Sequence, residues 1–113
     1  GYAKQSKTRR EDIEQIIYWY LTDDRLPIKT VVLLVDSLVG PTEDDFTTRD
    51  ILLEQHGRYD VMIIAHKWDK LKQSEAHKAL QRLSQEFPGM RVVPYSSKLG
   101  KGKDEIIRAL LGM

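Results

Sequence analysis

Apolar residues recur along this chain in two periods, and the alternation between them predicts the order of elements. Ile13, Ile16, Ile17, Tyr20 and Leu21 fall three and four positions apart, which predicts a helix from about Thr8 to Leu21 that ends before Pro27. Val31-Val32-Leu33-Leu34-Val35 is an unbroken apolar run rich in β-branched residues, as expected of a strand covered on both faces and ending at Asp36. Gly40-Pro41-Thr42 reads as a turn with Thr42 as N-cap. Phe46, Leu52 and Leu53 then supply the inward face of a helix reaching about His56, where Gly57 stops it. Asp60 to Ala65 predicts a second buried strand, and Ala76, Leu80, Leu83 and Phe87 the next helix, ended by Pro88-Gly89. Met90 to Tyr95 predicts a third strand, and Ile107, Leu110 and Leu111 the inner face of a terminal helix.

One helix followed by three strand-helix units implies an α/β fold. The expected form is a three-layer parallel sheet of about three strands, with right-handed crossovers and four helices covering both faces. In such sheets ligands bind at the carboxyl ends of the strands. Three loops fall at that edge: Asp36 to Thr42, His66 to Gln73, and Ser96 to Lys103. With 113 residues, 41% of them hydrophobic, the chain is the size of one domain with a core. Its 18 basic and 17 acidic side chains give a net charge of +1, so no global field argues for wholesale nucleic-acid binding. Absence of cysteine removes disulfides and thiolate chemistry and fits a reducing compartment. No apolar run approaches a membrane span or signal sequence in length, so a cytoplasmic location is expected.

The second loop carries the most specific chemistry. In Ile63-Ile64-Ala65-His66-Lys67-Trp68-Asp69-Lys70, a strand delivers a lysine and, two residues on, an aspartate. Such an aspartate can accept hydrogen bonds from the ring N–H and the exocyclic amine of guanine, while the lysine stem covers one ring face. Adenine would leave the carboxylate unpaired, at a cost on the order of a few kcal/mol. The third loop, Tyr95-Ser96-Ser97-Lys98-Leu99-Gly100-Lys101-Gly102, leaves its strand through small residues, so backbone N–H groups can approach a carbonyl such as the guanine O6. Lys98 could lay its stem against the opposite ring face. Lys-x-Asp after a strand also arises by chance, and Ser-Ser-Lys with Gly-Lys-Gly also reads as a polar turn capping the last helix. The two loops in this order are more specific than either alone.

Asp36-Ser37 with Gly40-Pro41-Thr42, then Lys67-Trp68-Asp69-Lys70-Leu71, then Ser96-Ser97 with Gly100 and Gly102, resemble the second half of the EngB-type (YihA/YsxC) bacterial GTPases. Gly1-Tyr2-Ala3-Lys4 resembles the stretch just after that family's switch motif, so the similarity covers essentially residues 1–113. The resemblance implies the carboxyl-terminal half of a P-loop GTPase domain, with Lys67, Asp69, Lys70, Ser96, Ser97 and Lys98 binding guanine and Gly1, Tyr2, Ala3 and Lys4 as a switch segment. It further implies a full-length protein that binds GTP and GDP with magnesium, hydrolyses GTP, assists assembly of the large ribosomal subunit on its rRNA, and supports cell division and septation. Two positions depart from the family: His66 stands where threonine is usual, and Trp68 where a small residue is usual.

The 113 residues contain no Gly-x-x-x-x-Gly-Lys-Ser/Thr, the motif that cradles phosphates and sets a magnesium ligand. The expectation is therefore a guanine-recognition part with no catalytic residue or metal ligand of its own. GTP hydrolysis and magnesium would come only through an amino-terminal half upstream. The apolar strand at Val31 to Val35 would then have an open edge, expected to self-associate or to bind that missing half. A second reading stays open, a non-catalytic α/β interaction module that keeps the base-binding loops. Lys4, Lys7, Arg9 and Arg10 read either as an rRNA contact or as a solvated segment offset by Glu11 and Asp12. Tyr18 and Trp19 read as packing residues; His56 and His77 have no partners at metal-ligand spacing.

Overall fold

The computed structural model describes residues 2–21, 25, 30–54 and 59–112, with the side chains of 2–8 and 20 left aside. Gly1, Asp23-Asp24, Pro27, and the helix end expected at His56 and Gly57 lie outside the described residues, as do the side chains of Tyr2, Ala3, Lys4, Lys7 and Tyr20. The chain divides into two units, Gly1–Lys29 with Thr42–Tyr59, and Thr30–Pro41 with Asp60–Met113.

The first unit holds two helices, α1 (Tyr2–Leu21) and α2 (Glu43–Glu54). The first begins six residues before the expected Thr8. Nothing from Tyr2 to Lys7 breaks a helix, and Ala3, Lys4, Gln5 and Lys7 are all good helix formers, so the helix runs through this stretch without apolar periodicity to announce it. Ile13, Ile17 and Leu21 are half-buried, whereas Ile16, Tyr18 and Trp19 stand exposed, which corrects the expectation that Ile16 and the two aromatics pack inward. The start of α2 is capped as its sequence requires: Asp45 N–H donates to Thr42 Oγ1 at 3.2 Å, and Thr42 N–H donates to Asp45 Oδ2 at 2.8 Å, a reciprocal capping box with aspartate in place of glutamate. Ile51 and Leu52 form the buried stripe of α2. Phe46 and Leu53 are half-buried, and the Arg49 guanidinium lies 4.8 Å over the Phe46 ring. Arg9 of α1 donates to Asp44 of α2 from Nη2 at 2.6 Å and from Nε at 2.9 Å. Arg10 lies 3.6 Å from Glu54. The arginines of the basic cluster are thus engaged with carboxylates inside the unit.

The second unit is the sheet, β1 (Thr30–Asp36), β2 (Asp60–His66) and β3 (Arg91–Pro94), with α3 (Gln73–Glu86) and α4 (Lys103–Leu111). The three strands are parallel in the order β1-β2-β3, with Val35 opposite Ala65 and Ile64 opposite Val93. Met62, Ile64 and Val93 pack against Tyr95 and against Ile106 and Ala109 of α4. Val35, Ile63 and Ala65 alternate onto the other face, where the right-handed crossover from β2 to β3 sets α3 and its buried Leu83 and Phe87. Of the helix face expected here, Leu83 and Phe87 are buried and Ala76 half-buried, whereas Leu80 stands exposed at the outer margin of the stripe. No described helix is long and apolar enough to cross a membrane.

Two expectations fail on the α4 side. First, β1 is not covered on both faces: Leu34 is 61% exposed and Val32 38% exposed. An unbroken apolar run records burial in whatever assembly the strand serves, and α4 reaches only over β2 and β3. Second, α4 turns Ile106 and Ala109 inward, while Ile107, Leu110 and Leu111 are largely exposed. Ile107 instead joins Leu34, Ile64, His66, Tyr95, Lys103 and Ile106 around a cavity of about 500 Å³. The misassigned helix face and the bare strand face are one feature, since α4 has apolar residues on two sides and only one meets the sheet.

The entry to α4 is a close approach of backbone to backbone. Gly102 has φ +86°, and a Cβ placed there would lie 2.2 Å from the Pro94 carbonyl oxygen, whereas one placed at Gly100 (φ +70°) would meet nothing within 4 Å. Gly102→Ala is therefore expected to destabilise by about 2 kcal/mol or more, through left-handed strain plus the clash, and Gly100→Ala by about 1 kcal/mol through strain alone. Urea unfolding of the two variants checks this; equal losses would show that the contact with Pro94 is relieved without strain.

Candidate functional site

All three strands end at one edge, and that edge is assembled from the loop after each. The chain leaves β2 at His66 and turns sharply at Lys67, whose φ of 61° and ψ of 29° make it the one non-glycine with positive φ among the described residues. A left-handed lysine costs on the order of 1 kcal/mol, so the turn persists because its surroundings hold it. A short 3-10 turn, Trp68–Lys70, follows at once, with Lys70 N–H donating to Lys67 O at 3.0 Å. The Trp68 side chain is buried, and its backbone N–H donates to Tyr95 O beyond β3 at 3.2 Å. The bulky residue at a position expected to be small thus serves as the anchor of this loop.

The anchored loop delivers Asp69 to the loop after β3. Ser96 Oγ donates to Asp69 Oδ1 at 2.9 Å and accepts the Leu99 N–H at 3.2 Å. Ser96 is 1% exposed, and its own N–H donates to Lys101 O at 3.1 Å, so this serine is held at three points. Asp69 Oδ2 takes no donor among the described residues, and the carboxylate keeps acceptor capacity for further N–H groups. The N–H groups of Ser97 and Lys98, on the exposed tip of the third loop, also go undonated among the described residues. The site therefore offers acceptors from one loop and donors from its neighbour, the pattern that a flat ring with an N–H edge and a carbonyl requires.

Of the residues expected to bind guanine, the structure brings Asp69 and Ser96 together directly, with Lys67 two residues from Asp69. Lys70, Ser97 and Lys98 are exposed side chains that make no hydrogen bond or ion pair among the described residues. Tyr2, Ala3 and Lys4 begin α1, in the other unit. His66 lines the cavity beneath α4 and uses its carbonyl oxygen to accept the Ser37 N–H at 3.0 Å. No group of three His, Asp or Glu side chains among the described residues is placed to hold a metal.

Sequence reasoning placed Asp36 at this edge but gave it no part in the site. Asp36, the last residue of β1, receives the Lys67 ammonium on Oδ2 at 2.8 Å and the N–H groups of Leu38 and Val39 on Oδ1 at 2.9 and 3.1 Å. Its signal was present in the alignment of strand ends, since Asp36 pairs in register with His66 and so sits beside Lys67. The Lys67 hydrogen bond first, then those of Val39 and Leu38, hold the Asp36 carboxyl down at about 2 against partial desolvation. Because the folded value lies below the unfolded carboxyl's ordinary range near 4, the stabilisation is complete above pH 4. It is lost as pH falls through about 2. Solvent screening of the half-exposed lysine keeps the contribution to about 1 kcal/mol. Urea unfolding is expected to show a fall in stability between pH 4 and pH 2.5 that Asp36→Asn flattens; an unchanged slope in the variant would assign the acid sensitivity elsewhere.

No family model matches the sequence. Curated relatives do. The probable GTP-binding protein EngB of an Exiguobacterium species is 39% identical over 116 residues, a match that takes in 100% of this chain and 57% of that protein. The probable GTP-binding protein EngB of Myxococcus xanthus is 39% identical over 113 residues, 98% of this chain and 53% of its own length. The chain thus spans about half the length of the curated relatives it matches. Among solved structures, the apo form of translation elongation factor SelB from Methanococcus maripaludis superposes with a TM-score of 0.63 at 17% identity, over 92% of this chain and 23% of that one. The same factor in complex with the GTP analogue GppNHp gives 0.60 at 18% identity, over 88% and 23%. These two share the fold of the described residues, three parallel strands with four α-helices. In sequence, the chain is similar along nearly its whole length to the EngB-type GTP-binding proteins, of which it matches the carboxyl-terminal half.

Proposed function

We propose that this chain is the guanine-recognition half of an EngB-type GTPase domain. The observation that carries the reading is the Ser96 Oγ to Asp69 Oδ1 hydrogen bond of 2.9 Å, which ties the Lys-x-Asp loop to the Ser-Ser-Lys loop at one sheet edge. In this reading Asp69 accepts from the ring N–H and the exocyclic amine of guanine. The N–H groups of Ser97 and Lys98 donate to O6, and the stems of Lys67 and Lys98 cover the two ring faces. Lys70 adds positive charge beside the base.

The phosphates and any magnesium fall to residues outside this chain, because no phosphate-loop motif occurs in the 113 residues. Joined to such residues, the protein would bind and hydrolyse GTP in the cytoplasm, act in assembly of the large ribosomal subunit through its rRNA, and support division and septation. The family resemblance and the GTP-binding relatives support that wider role. Tyr2 to Lys4, at the head of α1, would belong to the switch region. A second reading, a non-catalytic module recruiting a partner, draws on β1 as an outer strand of the described sheet, whose open edge suits either an amino-terminal half or a second copy.

Calorimetry on the 113-residue chain is expected to show guanosine binding on the order of millimolar, adenosine binding weaker still, and GTP gaining nothing from magnesium. Tight magnesium-dependent GTP binding would overturn the division of labour. Asp69→Asn replaces one acceptor by an amide donor, matching the xanthine edge, and is expected to lower guanosine affinity roughly a hundredfold while raising that for xanthosine. An unchanged preference for guanosine would remove Asp69 from base recognition.

A further inference from the structure

We infer that Asp36 is a positioning residue of the base site, acting through Lys67 to hold the left-handed turn that aims Asp69 at the loop after β3; this rests on the guanine reading above. Asp36 lies at the end of β1 and makes no hydrogen bond to Asp69 or Ser96. Its reach is through one ion pair, Oδ2 to Lys67 Nζ at 2.8 Å, spanning from the β1 end to the β2 end. The other oxygen is occupied by the N–H groups of Leu38 and Val39, and Gly40 N–H donates to the Asp36 carbonyl at 2.8 Å. The carboxylate is thus locked to its own loop, and its free side presents a fixed anchor to the lysine.

What the anchor does follows from the backbone. Lys67 is in a conformation that disfavours side chains, and each downstream contact of the site depends on the direction the chain takes there. Trp68 N–H meets Tyr95 O and Asp69 meets Ser96 only after that turn. With the ammonium drawn toward β1 and the next two residues drawn toward β3, the Lys67 turn is held from opposite sides. The lysine ammonium reaches Asp36 across the edge, with 53% of the side chain still exposed for a ring to cover. Charge also favours this geometry: with Asp36 paired, one lysine charge near the base is neutralised and its rotamer fixed before the ligand arrives.

A double-mutant cycle on GDP affinity in the full-length protein that carries this chain tests the assignment. Asp36→Asn keeps an Oδ1 acceptor for Leu38 and Val39 and loses the ion pair; Lys67→Met keeps an unbranched stem and loses the ammonium. The expected result is a roughly tenfold weaker GDP affinity for Asp36→Asn, and no further effect of that substitution in the Lys67→Met background. An unchanged affinity in Asp36→Asn would overturn the inference. So would an equal loss in both backgrounds, which would place the effect in the Asp36 loop itself. If Asp69→Asn moves preference to xanthine nucleotides while Asp36→Asn is silent, only the positioning role falls. If the wild-type protein shows no preference for GDP over ADP, the guanine reading and this inference fall together.

Discussion

Everything at the candidate site hangs on a single reversal of the backbone at Lys67. A strand continued straight past His66 would carry Trp68 and Asp69 away from β3. The left-handed residue instead folds the chain back so that two successive positions meet the β3 loop, one by its amide and one by its carboxylate. Such a turn in a lysine is unfavourable alone. Burial of Trp68 and the hydrogen bonds of Lys70 and Trp68 outweigh that penalty, and the ion pair to Asp36 restrains the side chain from the other side.

Much of the fold was legible because its signals are local. The strand at Val31 to Val35, the Thr42 cap and the buried Leu83 and Phe87 each report a neighbour within a few residues or a single packed face, and each reappears, though the strand is covered on one face only. The pairing of Asp69 with Ser96 was legible at one remove, through the rule that loops after adjacent parallel strands share an edge. What escaped was set by register and by absence. Asp36 meets Lys67 because of how β1 and β2 align, which no spacing within one segment encodes. The inner face of α4 was misread because both of its apolar sides look alike until one finds the sheet. Trp68 read as a departure from its family's pattern, yet its burial makes it the anchor that a smaller residue would need other contacts to replace.

The unequal covering of the sheet ties the fold to the chain's relatives. On the α3 side, Val35, Ile63 and Ala65 are fully buried; on the α4 side, Leu34 and Val32 are bare beside a cavity rimmed by His66, Tyr95 and Lys103. A strand made of valine and leucine is suited to burial on both sides, and relatives about twice as long have further chain with which to provide it. The candidate-site edge does not share this unequal covering, since its hydrogen bonds close within the second unit.

That closure bears on how a ligand would be met. Ser96 and Lys101 are bridged across the third loop, Leu99 is tied back to Ser96, and Gly102 sits hard against Pro94. The tip between them has little conformational freedom left to lose. A ring arriving at Ser97 and Lys98 would find its donors already set, so the entropy of ordering this loop was spent when the protein folded and is not drawn from binding.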